Sequence, residues 1–243
     1  MKIRSKKLLL CSVLALASMT QAVEIPTGTI SVEESVVLTG TNPSISWNII
    51  FPNPELGIDD LVEVEPDGGI VPRTEVNMSV RVLAADIQTF EWVRIGKKWF
   101  QRAVYVDVRG YGRVNSGTQV ELFNGTQPSV VEDEVVWSRA LNEGDDVTFS
   151  AIADISNRPL YSTGEASDNV IVLKNGDIPP DIAGWGNQAS LGTHIAPYLD
   201  SNGAVKIGPR DLIIAYELFF VMPHASGDLQ DMIYLVTFQH DVD

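Results

Sequence analysis

A period of two runs through this chain. Thr74–Val82 alternates polar and apolar residues almost strictly, and Ala103–Arg109 and Asp146–Ile152 do so in part. Alternation sends successive side chains to opposite faces of a sheet, as half-buried antiparallel strands require. Val170–Leu173, Leu212–Tyr216 and Met232–Phe238 are continuously apolar and suit central strands buried on both faces. Turn chemistry falls between these runs. Asp67-Gly68-Gly69, Asn115-Ser116-Gly117, Asn124-Gly125, Asn175-Gly176-Asp177 and Ser201-Asn202-Gly203 all supply residues that tolerate positive φ. Asn175-Gly176 and Asn202-Gly203 are the better hairpin signals. Only Ala189–Leu199 is suited to a helix, and Pro197 keeps it short. The pattern predicts an all-β fold. It is an antiparallel β-sandwich, Ig-like or jelly-roll-like, of roughly ten strands with at most one short helix.

The N-terminus breaks this pattern. Lys2, Arg4, Lys6 and Lys7 precede an apolar run, Leu8–Ala17, that is too short to span a bilayer. Small residues follow, ending at Ala22. Residues 1–22 are therefore expected to be a secretory signal peptide. Residues 23–243 are expected to form a single β-sandwich domain. A loop or sub-boundary is expected near 176–186, where Pro179, Pro180, Gly184 and Gly186 cluster. No later segment is apolar enough to span a membrane. Val205–Met222 comes nearest, and Lys206, Arg210, Asp211 and Glu217 interrupt it.

Charge and cysteine narrow the function. The 243 residues hold 17 Lys+Arg against 32 Asp+Glu. Residues 1–22 carry four of the basic residues and none of the acidic ones, so the remainder stands at 13 against 32, a net −19. So anionic a chain is a poor nucleic-acid binder, because phosphate contacts need Lys and Arg. The single Cys, Cys11, lies in the expected signal segment. That excludes internal disulfides, a thiolate zinc site and a thiol nucleophile from the working protein. His194, His224 and His240 have no metal-binding spacing. No G-x-S-x-G elbow, Walker loop or G-x-G-x-x-G fingerprint is present. A secreted hydrolase is the least supported class.

Two sets of residues could carry chemistry. Glu217 ends one apolar run, and Asp228-Leu229-Gln230-Asp231 opens the next. Glu217, Asp228 and Asp231 could supply hard oxygen ligands for Ca²⁺, although such sites use six or more oxygens. The alternative is that the Asp residues shape turns. This spacing resembles the closing E…D-x-x-D motif of some bacterial secreted β-sandwich modules, over Glu217–Phe238 only, and the resemblance implies bound calcium. The second set is Trp92, Trp99 and Phe100, which bracket Lys97-Lys98 in an expected hairpin, Glu91–Arg102. Exposed rings there would stack on sugars; the alternative is that they belong to the core. Trp47, Trp137 and Trp185 read as core or loop-packing residues. Asp200–Val205 has a calcium-loop look. Aligning Gly203 with the glycine of an EF-hand puts Tyr198 and Pro209 at ligand positions, so a hairpin turn is expected.

The expected function is that of an exported non-enzymatic protein of the cell surface or extracellular matrix, acting in adhesion or assembly, such as a fimbrial subunit. Its partners would be other protein subunits or surface glycans. In a fimbrial subunit Thr29–Leu38 could add to a neighbour's sheet edge, although Glu33-Glu34 breaks its alternation. The alternative is a carbohydrate-binding module using the Trp residues.

Overall fold

Strand pairing accounts for most of the regular backbone in the computed structural model, which describes residues 27–32, 45–50, 56–184, 188–224 and 227–240. The chain divides into two units, Met1–Glu55 and Leu56–Asp243. In the first, β1 (Thr27–Val32) pairs antiparallel with β2 (Ile45–Ile50), Thr27 opposite Ile50. The first part of the strand expected over Thr29–Leu38 is thus paired; the rest of it, residues 1–22 with Cys11, Trp185 and the side chain of Trp47 lie outside the described residues.

Among its described residues the second unit holds thirteen strands and two single-turn α-helices. In order these are α1 (Ile58–Leu61), β3 (Val62–Val64), β4 (Ile70–Pro72), β5 (Val76–Ala84), β6 (Ile87–Ile95), β7 (Lys98–Val106), β8 (Val108–Val114) and β9 (Val120–Gly125). Then come β10 (Val135–Leu141), β11 (Val147–Ala153), β12 (Tyr161–Ser162), β13 (Val170–Leu173), α2 (Leu191–His194), β14 (Asp211–Tyr216) and β15 (Met232–Gln239). One sheet runs β10-β5-β15-β14-β13. A second runs β3-β4-β11-β8-β9, with β12 beside β11, and β6 and β7 form a two-stranded sheet of their own. All pairings are antiparallel.

The two larger sheets face each other as a β-sandwich. Along β5, Val76, Met78, Val80 and Val82 are buried while Asn77, Ser79 and Arg81 are not, so the sequence alternation becomes the pleat. These valines meet Phe149 and Ala151 of β11 and Tyr216, Tyr234 and Phe238 of the first sheet in one core. Phe149 sets Trp137 edge-on at 6.0 Å and 80°, and packs Tyr234 at 5.6 Å. Trp137 is therefore a core-packing residue, as expected. Two glycines on β8 make room for this. A Cβ on Gly110 would sit 2.0 Å from the Tyr234 hydroxyl, and one on Gly112 would strike the Trp137 ring.

The five-stranded sheet has a second covered face. Ile213, Ala215, Ile233 and Leu235 point away from the sandwich interior and pack against Leu191, Ile195 and Val205. The chain between β13 and β14 is thus a cover over the sheet. Its helix is short because Ser190 caps it, accepting from the Thr193 amide, and Pro197 follows in a 3₁₀ turn. Asn202-Gly203 turns as expected, with Asp200 Oδ1 accepting from the Asn202 and Ala204 amides.

Several expectations need correcting. Val170–Leu173 is an edge strand, not a central one: an apolar run with one paired neighbour and both faces covered reads the same in sequence as one with two. Asn175-Gly176 closes no tight hairpin, since the partner strand of β13, β14, begins only at Asp211; it leads instead into the cover, Gly176 donating to the Val205 carbonyl. Ala103–Arg109 is split between β7 and β8 at Asp107. The strand count exceeds roughly ten because β3, β4 and β12, at two or three residues, are too short to show a period. A second helix, α1, is likewise one turn, fixed by Asp60 accepting from the Gly57 amide at 2.9 Å. No helix among the described residues is long and apolar enough to cross a membrane.

Candidate cation site and aromatic arm

β14 and β15 lie side by side, with Tyr216 opposite Met232. That register brings Glu217, just past one strand, to Asp231, just before the other. Asp228 joins them from the connecting loop. The three carboxylates, named from sequence spacing alone, converge: ligand atoms from all three lie within 4.8 Å of one another, and all three residues are buried. A cavity of about 10 Å³ lies against them, room for one water-sized occupant.

The loop is built around these acids. Glu217 Oε1 accepts from the Phe219 and Phe220 amides at 2.9 and 2.8 Å, and its Oε2 accepts from the Asp228 amide at 2.7 Å. Asp231 Oδ2 accepts from the Leu218 and Phe219 amides at 2.6 and 3.1 Å. Asn169, also buried, donates to the Glu217 carbonyl and accepts from the Met222 amide. Arg158 donates to the Phe219 carbonyl and lies 4.1 Å over the Phe219 ring. The Asp residues therefore shape a loop and also form a cluster, so the two sequence alternatives are not exclusive.

Burial pushes the Asp231 carboxyl well above its ordinary range, and the neighbouring Glu217 and Asp228 charges add to that, against the pull of the Leu218 amide. Three ionised carboxylates this close cannot stay buried uncompensated; they must hold a proton or a cation. Carboxylate oxygens are the hard donors that Ca²⁺ takes, so the donor chemistry suits that ion.

Beyond the carboxylates, the cavity is walled by Ile87 and Gln88, at the root of β6, and by Gln188. Gln188 donates to the Gln88 carbonyl, and Gln230 donates to the Asp86 carbonyl and to Gln188 Oε1. Gln230 Oε1 is itself buried without a hydrogen-bond partner. Asp86 meets His194 Nε2 at 3.2 Å. Burial raises the Asp86 carboxyl, but hydrogen bonds from His194 and Gln88 outweigh it, and the group titrates below its ordinary value. The amides of Gln88, Gln188 and Gln230 carried no signal in the sequence, because nothing in their spacing suggests that they meet.

From this root rises the second candidate. β6 and β7 form a nine-residue-by-nine-residue hairpin, longer than the expected Glu91–Arg102, closed by Gly96 at φ +63° and Lys97. Positive φ at the first turn position matches the twist of a two-residue hairpin and favours glycine. Among the described residues each strand of this arm pairs only with the other. Trp92 and Trp99 are 62% and 60% exposed, so neither belongs to the core. The register, with Trp92 opposite Gln101 and Trp99 opposite Arg94, places both on one face together with Phe90 and Tyr105. Phe100, opposite Val93, faces the other way. The sequence-predicted trio is thus split, two against one. Phe90 and Tyr105 were missed, although alternation counted outward from Gly96-Lys97 places them.

No protein-family model, curated protein or solved structure matches this chain.

Proposed function

We propose that this is an exported, non-enzymatic protein of the cell surface or extracellular matrix that works by assembly, gripping its partner with the β6–β7 arm. The observation that carries this reading is the arm itself. Phe90, Trp92, Ile95, Trp99, Phe100 and Tyr105 are all exposed on one two-stranded element. Apolar surface concentrated in this way marks an interaction site. A hairpin with no sheet behind it is marginal alone and gains by being covered. Light scattering after size exclusion, with negative-stain microscopy, tests the reading. Concentration-dependent particles are expected, and a strict monomer at high concentration would overturn it.

A second reading is favoured by a separate observation, the Trp92–Trp99 face. Diagonal ring pairs on one sheet face are close enough to act together, and flat exposed rings stack on the apolar faces of sugars. Glycan-array binding that Trp99→Ala abolishes would support it, and no binding to any glycan would remove it.

The carboxylate cluster belongs to either reading as a structural calcium site that fixes the loop between β14 and β15. Calcium at about a hundred times its Kd should raise stability by about 2.7 kcal/mol, or roughly 5–11 °C in Tm for a chain of this size. Melting curves with and without chelator check this; identical curves would remove the site.

A further inference from the structure

We propose that the partner of the arm is a second copy of this chain, and that the arm tip seats in an acidic groove on the open side of that copy's sandwich. This rests on the assembly reading above and names its two surfaces.

The arm is a cationic part of an anionic protein. Arg94, Lys97, Lys98 and Arg102 stand on it against one acid, Glu91, a net +3, while the chain as a whole is at −15. Arg102 is engaged by Glu91. Arg94, Lys97 and Lys98, around the turn, have no carboxylate partner among the described residues; Arg94 donates to the Gly96 carbonyl. Beside them Ile95 and Trp99 are 68% and 60% exposed. The tip thus presents Arg94 with Trp99 on one face and Lys98 with Ile95 on the other, with Lys97 in the turn between them.

The complementary surface is on the same unit. A groove of about 550 Å³ opens between the edge strand β13 and the turn joining β3 to β4. It is lined by Val170 and Val172, both half-buried, and by the acids Glu65, Asp67 and Asp168. None of these three acids pairs with a cation among the described residues. No Lys or Arg lines the groove, and no residue of the arm does. Three acids beside two apolar side chains in the groove match three cations beside two apolar side chains at the tip. β13 is also a sheet edge, with backbone groups on its outer side that an arm strand can pair by addition.

Tip and groove are different surfaces of one molecule, so the contact is head-to-tail. Such an interface, unless it closes into a ring, propagates as an open chain. Opposite charge on the two halves steers the encounter, and like charge against it suppresses the reverse pairings.

The test uses the purified full chain in sedimentation velocity. Wild type should self-associate at about 0.01 M salt and dissociate toward about 1 M, as the Debye length falls from about 30 Å to about 3 Å. Two charge-reversed variants follow, Lys97→Glu with Lys98→Glu on the arm, and Glu65→Lys with Asp168→Lys in the groove. All four positions are exposed or half-buried, so both should melt as wild type does. Each alone should associate at least about tenfold more weakly, since like charges then face each other, and an equimolar mixture should recover association. Association that persists unchanged in both variants would overturn this docking and leave the assembly reading standing. A strict monomer at every salt would overturn both. Binding of wild type to phosphatidylglycerol vesicles without self-association would assign the arm to an anionic membrane and overturn the proposal.

Discussion

Asp231 and Asp86 are both buried carboxylates near one cavity, yet they titrate in opposite directions. The difference is company. Asp86 faces His194 and the Gln88 amide, so its charged form is favoured. For Asp231 burial favours the protonated form, and the two other acids it faces add to that instead of opposing it. The signs for stability follow. Asp86 contributes stability above the ordinary carboxylate pKa that is lost as pH falls through its depressed folded value. Asp231, its folded value raised, is stabilising at low pH, and stability is lost as pH rises from the ordinary value toward that raised one. In chelator, Asp231→Asn should therefore flatten the decline in stability above the ordinary carboxylate range. The amide oxygen can still accept from Leu218 and Phe219. Denaturant melts from pH 4 to pH 8 read this, and an unchanged slope would show that Asp231 is not the titrating group. Calcium should shift the Tm of wild type but not of the variant. A second residue-scale expectation concerns Gly110. Adding a methyl there drives it into the Tyr234 hydroxyl, so Gly110→Ala should cost about 1–3 kcal/mol by overpacking, read from the denaturation midpoint.

At the scale of elements, the strands divide into those whose surroundings leave a mark in sequence and those whose surroundings do not. β5 was legible because one face meets Phe149 and the other does not, and alternation records that difference. The carboxylate cluster was legible because β14 and β15 are long apolar runs whose antiparallel pairing had to bring their adjoining ends together. β13 was misread as central because a Val-Ile-Val-Leu run does not say how many neighbours it has. The length of the arm was underread because Phe90 and Tyr105 are aromatic like core residues, and only pairing outward from the turn shows them exposed. The arm carries the prediction that belongs here. Trp92→Ala and Trp99→Ala should each change stability by less than about 0.5 kcal/mol, as exposed substitutions do, while weakening partner binding. A loss of several kcal/mol in a thermal or denaturant melt would instead place these rings in a packed interior.

At the scale of the whole molecule, charge sets behaviour. With 13 cations against 32 acids after residue 22, like-charge repulsion opposes the compact state, and salt screens it. Raising monovalent salt from about 0.01 M to about 0.15 M, where the Debye length shortens to about 8 Å, should raise Tm at dilute protein. A Tm that falls over this range would mean that attractive pairs, such as Arg109–Asp154 and Lys174–Asp59, dominate. The same step in salt should loosen association while it tightens the fold, so the two effects separate by concentration.

The order of strands carries one more consequence. β15 (Met232–Gln239) sits between β5 and β14 and is the middle of its sheet. β5 therefore waits for a partner about 150 residues downstream. Such long-range pairings form late and slowly. A chain cut before Met232 lacks the strand that joins the two halves of the sheet and supplies Tyr234 and Phe238 to the core. Without β15 the sandwich has no centre to close on: β5 and β14 are left unjoined, and the chain stays open until that strand is in place.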